Sequence, residues 1–302
     1  MEQYNEYLTI KGYSSKTRQG MINTFKRFAK WCETENIDLE QVNYNDVMAY
    51  VQHLKTGNKP RTVQLAVGQI NHYYNYLMSE HQLPENPASN IEIKGVKRKV
   101  LRDVLTTEEL ATVYQSYQTE KKYAKSCPPQ ATSNLARKRN KVMLSLMIYQ
   151  ALRTEELEAL EISDLKLRDG KIYIRGSRRT NERNMSLESH QVIDLLDYIN
   201  TTRKALTELT GKTGQQVFIS TGKRSDIKNA MQKLTAELKT SNPKLRAIQQ
   251  LRTSVIANWL KVYNLRKVQY LCGHRYVSST EAYQVNNMEG LREEIKQFHP
   301  MG

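Results

Sequence analysis

The sequence predicts a mainly α protein in two parts: an all-α N-terminal domain and a mixed α+β domain that carries a small antiparallel sheet. Apolar residues recur at three- and four-residue steps through residues 1–85 and again from Ser225 onward, which is typical of amphipathic helices. Around Gly170 the period changes to two, which is typical of strands. The 302 residues also suit two domains better than one average domain.

Three amphipathic helices account for most of the first part. Ser14 or Ser15 can cap the first of them, because a serine hydroxyl accepts a hydrogen bond from the free amides of a first turn. The third begins after Pro60. The apolar stripes expected to form the core are Ile22, Phe25, Phe28, Ala29 and Cys32; Val47, Tyr50, Val51 and Leu54; and Val63, Val67, Ile70, Tyr74 and Leu77.

A domain boundary is predicted between residues 84 and 104. Residues 84–87 read P-E-N-P, which is turn chemistry that stops a helix. The basic residues Lys94, Lys97, Arg98, Lys99 and Arg102 follow without helical or strand periodicity. We therefore expect a helical domain over 1–85, a basic linker over 86–104 and a second domain over 105–302. Such a linker either contacts DNA or is a solvated tether.

The second domain opens with a helix and contains a β-hairpin. Residues 106–109 read T-T-E-E, which predicts a capping box at a helix start. A buried helix is expected over 137–149, from Val142, Leu144, Leu146, Met147 and Ile148. Residues 171–175 and 183–187 predict the two strands of the hairpin, and residues 216–219 predict a further short strand.

The charge balance points to a polyanionic partner. The chain has 46 Lys and Arg against 31 Asp and Glu, a net charge of +15. Basic proteins bind nucleic acid because each neutralised phosphate releases condensed counterions. A merely basic cytosolic protein is the alternative. Three cysteines without paired spacing, no secretory signal and no apolar run of membrane length predict a soluble intracellular protein, cytoplasmic and associated with the nucleoid.

Several chemistries are disfavoured by the motifs. Residues 211–213 read G-K-T but lack the upstream glycine of a nucleotide-binding loop. The histidines and cysteines do not have zinc-ligand spacing, and no trio of carboxylates suggests a two-metal nuclease. We therefore expect no metal, no nucleotide and no cofactor, and any DNA cleavage should proceed without a metal.

Metal-free phosphoryl transfer on DNA needs a nucleophile, donors for the phosphate oxygens and an acid for the leaving 5′-oxygen. Arginine suits the second task because its planar fork matches a phosphate and keeps its charge. Tyrosine suits the first task when the product is a covalent phosphodiester.

Three segments carry residues of these types in one order. Residues 151–157 read A-L-R-T-E-E-L, residues 249–253 read Q-Q-L-R-T, and residues 271–274 read L-C-G-H, with Tyr283 nine residues after His274. They resemble the G-L-R-x-x-E-L, H-x-L-R-H and L-G-H boxes and the following nucleophile of the tyrosine recombinases, the phage integrase family. The resemblance extends over about residues 5–295 and fits the simple two-domain type of a mobile element or an Xer-like enzyme.

The resemblance implies a site-specific recombinase with a SAM-like core-binding domain and a catalytic domain that together form a C-shaped DNA clamp. Arg153 and Arg252 would hold the scissile phosphate, and Tyr283 would attack it to leave a 3′-phosphotyrosine. His274 would donate to the phosphate or help to deprotonate the nucleophile. Glu156 would orient the site or serve only as a helix salt-bridge partner. The DNA would be double-stranded with inverted-repeat core sites.

A homotetramer on DNA is also implied by the resemblance, with exchange of the C-terminal helix between protomers. An amphipathic helix after Tyr283 would supply the contact, through Met288, Leu291, Ile295 and Phe298. The same helix could instead cap the core of its own domain.

The sequence departs from the family pattern in the residues that move protons. Gln249 stands where the family has histidine, and glutamine can donate a hydrogen bond but cannot shuttle a proton. Arg179 is the best positional match for the family's hairpin lysine, with Arg178 second, although arginine is a poor general acid. Either Arg179 acts through a water, or Lys171 reaches the site, or the enzyme is slow.

Further DNA contacts are expected from basic residues in the linker, on the hairpin turn and near helix ends: Lys97, Arg98, Lys99, Arg178, Lys16 and Arg61. Two other interpretations remain open. One is a DNA-binding relative that has lost strand exchange, and the other is a DNA-relaxing enzyme similar to the type IB topoisomerases.

Overall fold

The computed structural model describes residues 1–81, 83–96, 104–120, 130–222 and 227–284. The chain divides into two compact units, Met1–Lys99 and Val100–Gly302. The first unit is helical and the second combines helices with a small sheet, as the sequence predicts. Each unit has its own core. Among the described residues, no helix is both long and apolar enough to cross a membrane.

The described residues of the first unit form four helices, α1 (Glu2–Ile10), α2 (Ser15–Thr34), α3 (Tyr44–Lys55) and α4 (Pro60–His81). Ser14 caps α2, since its Oγ accepts from the backbone N of Thr17 at 3.3 Å. Asn43 and Asp46 form a reciprocal capping box at the start of α3. Helix α1 is an addition to the three predicted helices.

The predicted apolar stripes form the core of the first unit. Its buried members include Phe25, Phe28, Cys32, Val47, Tyr50, Val51, Val63, Val67, Ile70 and Tyr74. Ala88 and Ile93, which lie in the expected linker, are also buried against this core. The packed unit therefore extends beyond residue 85.

The second unit contains α5 (Thr107–Gln115), α6 (Gln130–Tyr149), α7 (Thr154–Ala159), α8 (Ser189–Asp197), α9 (Arg203–Thr210), α10 (Lys228–Ser241), α11 (Gln249–Val262) and α12 (Leu265–Cys272). Residues 278–284 are helical as well. The predicted capping box at α5 is confirmed, because Thr106 and Glu109 each accept the other's backbone amide. The core forms around α6, where Met143, Leu144, Leu146 and Met147 are almost fully buried.

In the part of the chain that the structure describes, the sheet has three antiparallel strands in the order β1 (Leu165–Lys166), β2 (Lys171–Ile174) and β3 (Arg183–Ser186). The predicted hairpin is β2–β3, with Ile172 opposite Met185 and Ile174 opposite Arg183. The apolar members of these pairs face the core, as the period of two requires.

The strand predicted over 216–219 is wrong. Gln216 makes only an isolated bridge with Glu161, through hydrogen bonds between residues 160–162 and 215–217. Val217, Phe218 and Ile219 are buried, so their apolar run reflects core packing. The short apolar run therefore predicted burial of these residues correctly, but it did not predict their backbone conformation.

Candidate active site

Arg153 stands at the turn between α6 and α7. Just before it, Ala151 has a left-handed backbone with φ of +51°. This conformation costs a non-glycine residue about 1–2 kcal/mol. The turn aims the carbonyl of Ala151 at the guanidinium of Arg252, whose Nη1 donates to it. The first arginine box and the second thus meet through this turn.

Glu156 is the carboxylate around which the site is organised. Its Oε2 accepts from the backbone N of Arg153 at 2.9 Å, which closes the first turn of α7. Arg183 of β3 donates to both carboxylate oxygens, at 2.9 and 3.0 Å. Nη1 of Arg252 lies 3.7 Å from Oε2. Burial alone would raise the pKa of Glu156, but the hydrogen bonds and charge of Arg183, with the charge of Arg252, lower it below its ordinary value.

Arg252 lies in the first turn of α11 with its side chain 8% exposed. Nη2 donates to the carbonyl of Cys272 at 2.7 Å. Burial, and then the charge of Arg153, lowers the pKa of Arg252. An arginine nevertheless remains protonated in proteins. The guanidiniums of Arg153 and Arg252 therefore place two repelling positive charges in one site, which is favourable once an anion lies between them.

His274 is buried between Arg252 and Thr280. Its Nε2 lies 3.4 Å from Nη2 of Arg252, and its Nδ1 lies 2.9 Å from Oγ1 of Thr280. Because arginine has no acceptor atom, the first contact needs a lone pair on Nε2, so Nδ1 carries the proton and donates to Thr280. Burial, followed by the charges of Arg252 and Arg153, lowers the pKa of His274 to about 4. The imidazole is therefore neutral at pH 7.

Gly273 permits a close approach that a larger residue would prevent. Its φ is +64°, and a Cβ built there would lie 2.5 Å from Nη1 of Arg183 and 2.9 Å from the carbonyl oxygen of Asn181. Asn181 N also donates to the carbonyl of Gly273 at 3.0 Å. The glycine of the third box thus lets the guanidinium of Arg183 pass between β3 and the turn before His274.

Tyr283 lies on the helical residues 278–284, partly buried against Ile256, Val268 and Cys272. Its ring is nearly parallel to that of His274, with centroids 6.0 Å apart and an angle of 18°. Burial raises the pKa of Tyr283 above its ordinary value, and the charges of Arg252 and Arg153 act in the opposite direction. The structure therefore brings the tyrosine, the histidine and both arginines together.

The tip of the β2–β3 hairpin is attached to the histidine turn. Ser177 and Thr180 pair across a two-residue turn, with Ser177 N donating to Thr180 O at 2.8 Å. Thr180 also forms an isolated bridge with His274. Arg178 and Arg179, the two turn residues, are exposed. Their backbone is consequently fixed beside the site while their side chains are at the surface.

Gln249 and Lys171 have different relations to the site. Gln249 is exposed at the start of α11, three residues before Arg252 and so on the same side of the helix. Lys171 pairs with Ser186 at the opposite end of the hairpin from its turn. At a rise of about 3.3 Å per residue, it lies roughly 20 Å from the tip. Lys171 is therefore far from the turn, and whether it reaches the site stays a prediction.

The other proposed DNA contacts lie elsewhere. Lys16 and Arg61 are exposed in the first turns of α2 and α4, and Arg61 Nη1 donates to Gln64 Oε1 at 2.6 Å. The linker candidates Lys97, Arg98 and Lys99 lie outside the described residues, as does the segment with Met288, Leu291, Ile295 and Phe298.

Sequence reasoning missed two residues of this site. Arg183 has a side chain with no exposed surface and holds Glu156 in a bidentate pair. Thr280 fixes the ring of His274. A signal existed for Thr280, because it stands three residues before Tyr283 and so one helical turn away. For Arg183 the only signal was an arginine at an inward position of a strand.

The buried charges of the site do not cancel. The guanidiniums of Arg183 and Arg252 lie against the carboxylate of Glu156, the half-buried Arg153 adds a third positive charge near Arg252 and His274, and His274 is neutral. Two positive charges are therefore uncompensated within this group. Over the described part of the chain, no cluster of three His, Cys, Asp or Glu side chains could hold a metal ion. The arrangement is suited to a phosphate.

Comparison with known proteins identifies the family. Residues 103–289 match the model described as "Phage integrase family", and residues 1–82 match "Phage integrase, N-terminal SAM-like domain". This chain belongs to the phage integrase family, the tyrosine recombinases. It is 25% identical to tyrosine recombinase XerC of Bacillus pumilus (strain SAFR-032) over 98% of this chain and 94% of the relative. It is 24% identical to tyrosine recombinase XerD of Chlorobaculum tepidum (strain ATCC 49652 / DSM 12025 / NBRC 103806 / TLS), over 100% and 96%.

A solved recombinase structure has a similar fold. A lambda integrase tetramer bound to a Holliday junction aligns with a TM-score of 0.65 and 17% identity, over 93% of this chain and 75% of that one. The mainly α fold with its small antiparallel sheet is thus that of the family.

Proposed function

We propose that this chain is a site-specific DNA recombinase that breaks and rejoins strands through a 3′-phosphotyrosine at Tyr283. The observation that carries the proposal is the meeting of Tyr283, His274, Arg252 and Arg153 in one place with excess positive charge. Family membership and the full-length similarity to the recombinases XerC and XerD support the same activity.

In the proposed reaction, the Tyr283 oxygen forms a bond to phosphorus and the bond to the 5′-oxygen breaks. The leaving oxygen takes a proton and becomes a 5′-hydroxyl, and the energy of the phosphodiester is kept in the phosphotyrosine. Arg153 and Arg252 bind the non-bridging oxygens and stabilise the second negative charge of the transition state. Attack by a 5′-hydroxyl of another strand reverses the step and rejoins the DNA.

His274 is proposed to receive the proton of Tyr283. In the free enzyme its pKa of about 4 makes it a weak base. A bound phosphate places negative charge beside Arg252 and His274, and a nearby negative charge raises a histidine pKa. The protonated ring would then donate to the phosphate, so both roles expected for this histidine occur in sequence.

The proton for the leaving 5′-oxygen is proposed to come from the tip of the β2–β3 hairpin. Arg179 is fixed through its backbone beside the site, and a water held by its guanidinium would pass the proton. Gln249 would contribute a hydrogen bond to the phosphate. Arg178, Lys16, Arg61, Lys97, Arg98 and Lys99 are proposed to contact DNA backbone, which predicts an affinity that falls steeply with salt.

We further propose that the enzyme acts in the cytoplasm as a homotetramer on two inverted-repeat core sites. Support comes from the fold shared with lambda integrase, a tetramer on a Holliday junction. The amphipathic pattern after Asn287 would supply the exchanged contact. A chain ending at Asn287 should bind a single site with unchanged affinity and lose cooperativity between sites. Cooperative binding by the shortened chain would contradict this assembly.

A covalent trap tests the activity. Nicked duplexes randomised across the core are incubated with the full chain, and protein–DNA adducts that survive denaturation are isolated and sequenced. We expect adducts from the wild type and none from Tyr283→Phe, which keeps the ring but lacks the nucleophilic oxygen. A wild type that forms no adduct with any member of the library would refute the proposal.

A further inference from the structure

Arg183 stands out because it is buried, charged and unable to touch DNA. Its side chain has no exposed surface, and its guanidinium is enclosed by Glu156 and Gly273. A direct role in phosphate binding is thereby excluded for the structure as it stands. Any effect of Arg183 on the reaction must act through Glu156 or through the charge of the site.

Glu156 would oppose the phosphate clamp if it were not paired. Its Oε2 lies 3.7 Å from Nη1 of Arg252 and accepts the backbone amide of Arg153. A carboxylate at that distance partly neutralises the arginine that should hold the phosphate. The bidentate pair with Arg183 occupies both carboxylate oxygens and supplies a compensating positive charge.

We propose that Arg183 is a positioning residue for strand cleavage, which neutralises Glu156 so that Arg153 and Arg252 keep two positive charges for the phosphate. Attack of a tyrosinate on a phosphodiester gives a transition state with two negative charges, one more than the bound ground state. The two uncompensated guanidiniums match that charge. Arg183 therefore acts on the cleavage rate more than on DNA affinity. This inference rests on the proposed function.

A purely structural salt bridge would behave differently. Its loss would lower stability and would reduce activity only in proportion to unfolded protein. The proposed role depends on the net charge of the site. The cleavage rate should therefore be restored when the carboxylate of Glu156 is removed together with the charge of Arg183. The double variant Glu156→Gln/Arg183→Met has the wild-type net charge in the site, and the side-chain oxygen of the introduced glutamine can still accept the amide of Arg153.

The decisive experiment compares single-turnover adduct formation at saturating DNA, using the duplex recovered with the wild type. The variants are Arg183→Met, Arg183→Lys and Glu156→Gln/Arg183→Met. The control is Arg175→Met, which breaks an ion pair of the same hairpin with Glu161 and Asp164 on a partly exposed side chain. Folded fraction and duplex Kd are measured for each protein.

We expect Arg183→Met to slow cleavage about 100-fold, with a Kd within about threefold of wild type. The double variant and Arg183→Lys should each recover at least about tenfold of that loss, and Arg175→Met should cleave at the wild-type rate. A rate for folded Arg183→Met within about threefold of wild type overturns the proposal. So does a double variant no faster than Arg183→Met.

A second measurement does not depend on cleavage, so it separates this inference from the proposed function. The titration of His274 is followed by NMR in the free proteins. Removing the charge of Arg183 should raise the pKa of His274 in Arg183→Met, and the double variant and Arg175→Met should be close to wild type. If no protein forms an adduct, the proposed function fails, and an unchanged His274 titration in Arg183→Met refutes the inference on its own.

Discussion

The two halves of the active site are built in opposite ways. The buried half contains Arg153, Arg252 and His274, which we propose hold the phosphate, together with the pair of Glu156 and Arg183, and it is joined by ion pairs and hydrogen bonds. The exposed half consists of Gln249 and Arg179, which stand where the family resemblance places the proton-transferring histidine and lysine and whose side chains are both exposed. Charge stabilisation needs donors fixed before the reaction, whereas a proton can pass through a water ordered by the substrate. The buried half is therefore preorganised before DNA binds, whereas the exposed half is completed only when DNA and its bound water are present.

The largest expected effect is a loss of stability caused by a substitution in the buried half. Glu156→Gln leaves the guanidinium of Arg183 buried without a counter-charge, and it should lower the free energy of unfolding by about 3–5 kcal/mol. Urea unfolding at pH 7 measures the change. The control is Glu155→Gln, an exposed carboxylate on the same helical turn, which should stay within about 0.5 kcal/mol of wild type. A loss below about 1 kcal/mol for Glu156→Gln would show that the ion pair does not hold this half together.

The next effect is the pH dependence of stability that follows from the burial of His274. His274 has a folded pKa of about 4 against an ordinary value of 6.5, so the unfolded chain binds its proton more readily. The stability from the neutral ring is fully present above pH 6.5 and is lost as the pH falls from 6.5 towards 4. At about 1.4 kcal/mol per pKa unit this amounts to about 3 kcal/mol.

Comparison with His274→Gln isolates that contribution from other groups. The stability difference between wild type and variant should shrink as denaturant unfolding is repeated from about pH 7.5 down to about pH 4. A difference that stays constant over this range would mean that His274 titrates as in the unfolded chain.

A smaller effect is expected in the exposed half, where substitution should improve the enzyme. Lysine has a pKa nearer the operating pH than arginine and is a better general acid, so Arg179→Lys should raise the cleavage rate about tenfold and Arg179→Ala should lower it. Single-turnover adduct formation measures both. Arg178→Lys, at the neighbouring turn position, should have no effect. If Arg178→Lys accelerates cleavage and Arg179→Lys does not, the acid position has been assigned to the wrong turn residue.

The last prediction compares the stability effects of substituting two buried alanines, one in a helix and one with a left-handed backbone. Ala257→Gly in the middle of α11 loses helix propensity and a buried methyl, and it should cost about 2 kcal/mol. Ala151→Gly loses a methyl but relieves a left-handed residue, so the two terms should nearly cancel, to within about 1 kcal/mol. Thermal unfolding of both variants measures the difference. Equal losses would indicate that the Ala151 backbone is not strained.

Local patterns explain which parts of the fold could be predicted. Helix periodicity, the capping box at Thr106 and the alternation in β2 and β3 depend on neighbours in sequence, and the structure confirms them. Burial of residues 217–219 could also be predicted from their apolar run, but their backbone form could not, because the bridge between Gln216 and Glu161 joins residues far apart in sequence. Strand β1 is two residues long, too short for a period to appear.

The residues of the candidate site also differ in whether the sequence alone could predict them. Tyr283, His274, Arg252 and Arg153 could be named because they lie in recognisable motifs. Arg183 could not, since its partner Glu156 is 27 residues away in sequence and only the fold brings them together. A buried charge is recognised by its partner, and the sequence alone does not show which residues become partners.

The bridge between Thr180 and His274 limits how the hairpin tip can vary. Adding or removing one residue in the turn would shift the strand register, and a shift by one turns every side chain to the opposite face. Thr180 would then lose its place beside the histidine, and the inward Arg183 would point away from Glu156. In this chain we therefore expect exchange of Arg178 or Arg179 to be tolerated better than insertion or deletion of a residue between Ser177 and Thr180.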